Sequence, residues 1–143
     1  MLFRSTLYLG TPLVEQGIVS HDTCVTLLRR LREQTTDLWY RPHPREDAAH
    51  VAQLVDEVGM QPFQADSIIE YGLLRAGWVP EHVTATHSSA LDTLRVILGD
   101  TVTVQAIPLP NELVAQRWRD WMTRAYAEMD ARLGIPVERL ELL

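Results

Sequence analysis

The period of the apolar positions changes repeatedly along this chain. Phe3 to Leu9 is rich in β-formers and stops at Gly10-Thr11-Pro12, a turn signal. Ser20 stands where a helix cap belongs, and Val25, Leu27, Leu28 and Leu31 give the apolar face of a helix reaching about Glu33. Leu38 to Arg41 reads as a short strand. Glu46 to Val58 reads as a helix, with Val51, Leu54, Val55 and Val58 at helical spacing and Gly59 as its stop. Asp66 caps a further helix through Ile68, Ile69, Leu73 and Leu74 to Gly77. Val83 to Thr86 is a β-branched strand, Ser89 to Leu98 a helix ending at Gly99, and Thr101 to Ile107 another strand. A long helix is predicted from about Asn111 to Leu133. Its Val114, Trp118, Trp121, Met122, Ala125, Tyr126 and Met129 are mostly expected in the core.

Strands alternating with helices predict an α/β fold, a parallel sheet covered by helices on both faces. In such open sheets ligands gather beyond the carboxyl ends of the strands. Two polar clusters fall there. The first is Tyr40-Arg41-Pro42-His43-Pro44-Arg45-Glu46, after the second strand. Pro42 and Pro44 hold Arg41 and His43 extended, so this strand end presents an imidazole and two guanidinium groups on a stiff backbone. The second is Thr86-His87-Ser88-Ser89-Ala90-Leu91, a strand end running into a helix. Together they predict a pocket for a phosphorylated ligand.

Each candidate has two readings. The exposed N–H groups of a helix start favour an anion, so Ser88 and Ser89 make a phosphate cradle, or they are simply a helix cap. His43 is a general acid or phosphate partner, or it buttresses a turn. Arg45 steers a phosphate, and Glu46 orients Arg45 or begins the next helix. His87, beside the serines, reads as a strand-end residue. Glu15, after the first strand, is a general base or an exposed loop carboxylate. Glu70 accepts hydrogen bonds from a ribose or favours its helix N-terminus. His21, His50 and His82 show no metal-like spacing with carboxylates or with Cys24, so no metal site is expected.

Composition narrows the classes. A chain of 143 residues suits one domain, 1–143, with a real core. A formal net charge of −6 gives no footprint for duplex nucleic acid, so nucleic acid is not an expected partner. The lone Cys24 excludes an internal disulfide framework and fits a reducing compartment. No apolar run approaches the ~20 residues that span a bilayer, and Met1-Leu2-Phe3-Arg4-Ser5 lacks secretory character. The expected location is the cytoplasm, including the periphery of a membrane.

Leu9-Gly10-x-Pro12-Leu13-x-Glu15-x-Gly17, Tyr40-x-Pro42-His43-Pro44-Arg45-Glu46 and Ser88-Ser89-Ala90-Leu91 resemble the carboxyl-terminal half of bacterial sialyltransferases, the lipooligosaccharide and capsular polysialyltransferase groups. The resemblance reaches about Pro110. It implies one half of a GT-B glycosyltransferase, a Rossmann-like domain holding the nucleotide of CMP-sialic acid. It also implies inverting, metal-independent transfer to a glycan acceptor without a cofactor. His43 would contact the CMP phosphate with Pro42, Pro44, Arg45, Thr86, Ser88 and Ser89 around it, and Glu70 would lie near the ribose or cytosine. Complete enzymes of this kind are about twice as long. Their amino-terminal half supplies acceptor contacts and, in several families, an Asp/Glu-Asp/Glu-Gly motif with the general base. The nearest match here is Glu15-Gln16-Gly17, with a glutamine in the middle position. The expected partners are therefore a nucleotide-sugar donor, a glycan acceptor, and a second copy of the chain or a separate amino-terminal subunit. The alternative is a non-catalytic CMP-binding, sugar-nucleotide-binding or assembly module derived from the same fold.

Overall fold

A computed structural model describes residues 3–63, 79–88 and 90–133, with side chains as far as 128. Its centre is a five-stranded parallel sheet in the order β3-β2-β1-β4-β5. The strands are β1 (Phe3–Leu9), β2 (Thr35–Arg41), β3 (Gln61–Pro62), β4 (His82–Ala85) and β5 (Thr103–Ala106). The helices are α1 (His21–Arg32), α2 (Ala48–Val58), α3 (Ala90–Leu98) and α4 (Gln116–Leu133). The sheet and its helices form the Rossmann-like α/β arrangement that the alternating pattern predicts. The helix expected from Asp66 to Gly77, with Glu70, lies outside the described residues, as does Ser89.

Period-two alternation explains how the sheet fills both of its faces. Tyr8, Leu38 and Tyr40 pack with Leu27, Leu28 and Leu31 of α1, Leu54 of α2 and Met122 of α4. On the opposite face Leu7, Leu9, Val83, Ala85, Val104 and Ala106 pack with Leu91 and Leu94 of α3. α1 begins at the Ser20 cap, whose hydroxyl accepts from Thr23 N. α2 is capped by Asp47 and starts at Ala48, two residues later than the sequence pattern suggests, and ends at Gly59 in a left-handed conformation.

Several boundaries differ from expectation for identifiable reasons. β2 starts at Thr35 because Phe3 pairs with Thr35 and Ser5 with Asp37, and this ladder recruits polar residues that propensity alone leaves in a loop. β3 is too short to show a period, and its Pro62 fits an edge strand. α4 starts at Gln116 because Pro108 and Pro110 hold the preceding chain open, leaving only a single 3₁₀ turn at Asn111–Leu113.

A polar column crosses the sheet inside the core. Thr6 Oγ1 lies 3.2 Å from His82 Nδ1, and His82 Nε2 lies 2.7 Å from Gln105 Oε1. Gln105 Oε1 can only accept, so Nε2 carries the proton and Nδ1 accepts from Thr6. The His82 ring stacks on Phe3 with centroids 4.1 Å apart. Burial drives its pKa down to about 4, against a partial pull upward from the Gln105 hydrogen bond.

Candidate functional site

The strand order places the topological switch between β1 and β4, where the loops leaving the two strands diverge. A cavity of about 370 Å³ opens there. Thr11, Pro12, Leu13 and Gln16 of the β1 loop form one wall, and His43 and Arg45 of the β2 loop form another. His87 and Ser88 follow β4, while Trp121 and Met122 of α4 close the far side. Thus His43, Arg45 and Ser88, far apart in sequence, border one space.

Backbone contacts fix the orientation of His43. Its N–H donates to Glu46 Oε1 at 2.9 Å, and its carbonyl accepts from Glu46 N at 3.0 Å. Arg45 N–H donates to His43 Nδ1 at 3.0 Å. Nδ1 is therefore the acceptor and Nε2 carries the proton in the neutral ring. Partial burial, then the Arg45 and Arg41 guanidinium groups, hold its pKa below the ordinary imidazole value. In this setting His43 is a neutral hydrogen-bond donor at its Nε2 edge. An arriving anion would offset the two arginines and favour the proton.

The structure shows the cap reading of Ser88. Its Oγ accepts from Ala90 N at 3.2 Å and caps α3, which leaves its own O–H to donate elsewhere. The α3 N-terminus adds the positive end of a helix dipole beside it.

The other expected site residues lie elsewhere. Thr86 is fully buried, and its hydroxyl lies 3.3 Å from Thr11 Oγ1, so it supports the cleft wall rather than lining it. Pro42 faces a separate groove along α2, and Pro44 is exposed. Glu15 turns away from the cleft: Oε2 accepts from Asp47 N at 2.8 Å and lies 3.7 Å from His50 Nδ1. Among the described residues that line the cleft, none is a carboxylate. Among the described residues, no group of three or more His, Cys, Asp or Glu is placed to hold a metal ion. Also among the described residues, no helix is long and apolar enough to cross a membrane.

Glu46 is the buttress of this site. Tyr40 Oη donates to Oε2, while Oε1 holds His43 N. Burial pushes the Glu46 carboxyl up to about 7, against the downward pull of those two hydrogen bonds. Folded Glu46 therefore keeps a proton that the unfolded chain releases. Its contribution to stability is complete below pH 4.5 and is lost as pH rises through about 7. Glu46→Gln is expected to remove this downward slope, seen as thermal unfolding midpoints measured across that range.

Sequence reasoning missed the aromatic wall. Trp121 stands at helical spacing from Trp118 and next to Met122, a pattern that signals core, yet it is 44% exposed at the cleft. Its ring is held edge-on by His87, with centroids 5.0 Å apart, and by Trp118 at 5.8 Å. The short chain segment from Pro108 to Ala115 sets the phase of α4, and no local period reveals that phase. Thr11 was legible only as part of a turn, and Gln16 only as the middle position of Glu15-Gln16-Gly17.

No family model matches the chain, and no curated protein matches it in sequence. Solved structures do match in fold. One is an α/β-galactoside α-2,3-sialyltransferase from the luminous marine bacterium Photobacterium phosphoreum, with TM-score 0.55 and 15% identity, covering 94% of this chain and 36% of that one. Another is a mutant glucose dehydrogenase from Haloferax mediterranei, with TM-score 0.50 and 8% identity, covering 97% of this chain and 36% of that one. The chain thus spans little more than a third of either protein, and at these identities the likeness is one of fold.

Proposed function

We infer that this domain binds the phosphate of a nucleotide sugar, CMP-sialic acid being the leading candidate, and serves as the donor half of a sialyltransferase-type enzyme. The observation that carries this reading is the meeting of His43, Arg45 and Ser88 around one cavity at the switch point of the sheet. Nε2–H of His43, the Ser88 hydroxyl, the α3 N-terminus and the Arg45 guanidinium together offer donors and positive charge to one anion. As the bond from sugar to phosphate breaks, charge grows on the phosphate oxygens, and these groups would stabilise it. The sialyltransferase fold likeness agrees with the motif resemblance. The dehydrogenase likeness raises a dinucleotide reading, but the β1 loop carries only Gly10 and Gly17, without the G-x-G-x-x-G spacing that lets a pyrophosphate approach.

Transfer also needs a base for the acceptor hydroxyl. The described cleft lining holds no carboxylate, and Glu15 is engaged with α2. The base would then come from a second domain or subunit, and without one the chain is a binding module. Calorimetry with CMP and CMP-sialic acid tests the binding step. His43→Ala and Ser88→Ala are each expected to weaken binding about tenfold or more, the scale of a lost hydrogen bond to a charged group. Trp121 fluorescence is expected to change on binding. Wild-type protein that binds neither compound would refute the reading. Sialic acid transfer to a galactoside, assayed with and without a candidate amino-terminal partner, separates enzyme from binding module.

A further inference from the structure

We propose that His21 and His50 form a two-imidazole site for a divalent transition-metal ion, Cu²⁺ foremost, where the starts of α1 and α2 meet. This site is separate from the cleft and does not depend on the reading given above. Four side chains lie in a row. Glu57 Oε1 is 3.1 Å from His21 Nε2, His21 Nδ1 is 2.8 Å from His50 Nε2, and His50 Nδ1 is 3.7 Å from Glu15 Oε2.

Counting protons shows what a cation would add to this row. A carboxylate only accepts, so each outer nitrogen, His21 Nε2 and His50 Nδ1, is best served by carrying a proton. Two neutral imidazoles hold just two protons between them. Placing both on the outer nitrogens leaves two bare lone pairs facing each other across 2.8 Å. Placing one on His50 Nε2, between the rings, and the other on His21 Nε2 serves three nitrogens and leaves His50 Nδ1 bare, and His50 Nδ1 is indeed buried without a hydrogen-bond partner. A metal ion accepting both inner lone pairs satisfies all four nitrogens with the rings neutral.

The surroundings fit a metal. A ligating histidine typically gives its other N–H to a carboxylate, which fixes its tautomer and raises its basicity; His21 Nε2 has such a partner in Glu57, and Glu15 stands 3.7 Å from His50 Nδ1. Both rings stand near helix N-termini, which disfavour a cation, but Glu15 and Glu57 place two carboxylates against that effect. Imidazole suits Cu, Ni and Zn. Metal–nitrogen bonds of about 2.0–2.1 Å set at a right angle put the two nitrogens about 2.9 Å apart, and a tetrahedral angle puts them about 3.3 Å apart. The observed spacing of 2.8 Å therefore favours adjacent corners of a tetragonal ion, Cu²⁺ or Ni²⁺, over tetrahedral Zn²⁺. The side chains keep 27% and 14% exposure, so water can reach the ion and fill its remaining positions.

The test is a titration of chelator-stripped full-length chain with CuCl₂ and, in parallel, NiCl₂ in a weakly coordinating buffer, followed by calorimetry and, for copper, electron paramagnetic resonance. The expected result is one saturable ion per chain with a micromolar dissociation constant, a copper spectrum with nitrogen coupling, and a raised unfolding midpoint. His21→Gln and His50→Gln keep a hydrogen-bonding side chain at each position and are expected to abolish the site. Glu15→Gln and Glu57→Gln are expected to weaken it about tenfold. His43→Ala is expected to leave it intact. No saturable binding by the folded wild-type chain, or binding that survives both histidine substitutions, would overturn the proposal.

Discussion

Gly10→Ala is expected to destabilise the protein by about 2 kcal/mol, because overpacked sites typically cost about 1–3 kcal/mol, and to weaken the phosphate-ester binding proposed at the cleft about tenfold. A Cβ at this position would lie 2.7 Å from Tyr40 Oη and 2.9 Å from Tyr40 Cζ, and would collide with Glu46 Oε1. Neither neighbour yields easily. Tyr40 is 2% exposed in the core, and Glu46 is the group that holds His43 N in place. Relief of the clash must move Glu46, and Glu46 takes the His43 loop with it. The expected signature is a lowered urea midpoint together with a loss of phosphate-ester affinity as large as that of His43→Ala. Glu46→Ala relieves one of the two collisions and leaves that with Tyr40, so the double variant Gly10→Ala/Glu46→Ala is expected to recover part of the stability and none of the binding. Unchanged binding by Gly10→Ala would show that the loop geometry does not matter to the ligand.

Acid is expected to weaken the fold through His82 by about 3 kcal/mol, the size implied by a pKa taken from 6.5 to about 4 in a ring that is 1% exposed. The sign follows from proton uptake. Between pH 6.5 and about 4 the unfolded chain takes a proton that folded His82 refuses, so stability falls as pH falls through that window. Protonation would also turn Nδ1 into a donor and cancel its role as acceptor for Thr6. Glu46 acts in the opposite sense over part of the same range, so the two slopes partly offset in the wild-type chain. Urea unfolding at several pH values separates them. His82→Gln, which cannot take up a proton there, should expose the Glu46 slope, and Glu46→Gln should expose that of His82. An identical acid response in wild type and His82→Gln would refute the assignment.

Much of the sheet was legible because its strands and helices carry strong and different periods. The apolar face of α1 and the β-branched run of β4 show this plainly. Placement of His43 and Ser88 on one side followed from the rule that loops after parallel strands share an edge, with no knowledge of contacts. Orientation was not legible. Glu15 and Gln16 are neighbours in sequence, yet Gln16 borders the cleft while Glu15 turns to α2, since the β1 loop folds back on itself through hydrogen bonds from Ile18 N and Val19 N to Leu13 O. The histidine pair was hidden for a related reason. His21 and His50 lie on different helices, and only the packing of α1 against α2 gives them a common spacing.

One wall of the cavity is supplied by α4, remote in sequence from the β1 loop that it closes. Arg117 Nη2 donates to Gln16 O across 101 positions of sequence, and Ala115 N donates to Ile18 O beside it. Such remote closures are entropically expensive and come late. A nascent chain emerging from the ribosome would thus complete most of its strand pairing while the pocket still lacked a side, and that side would arrive only once α4 had been made.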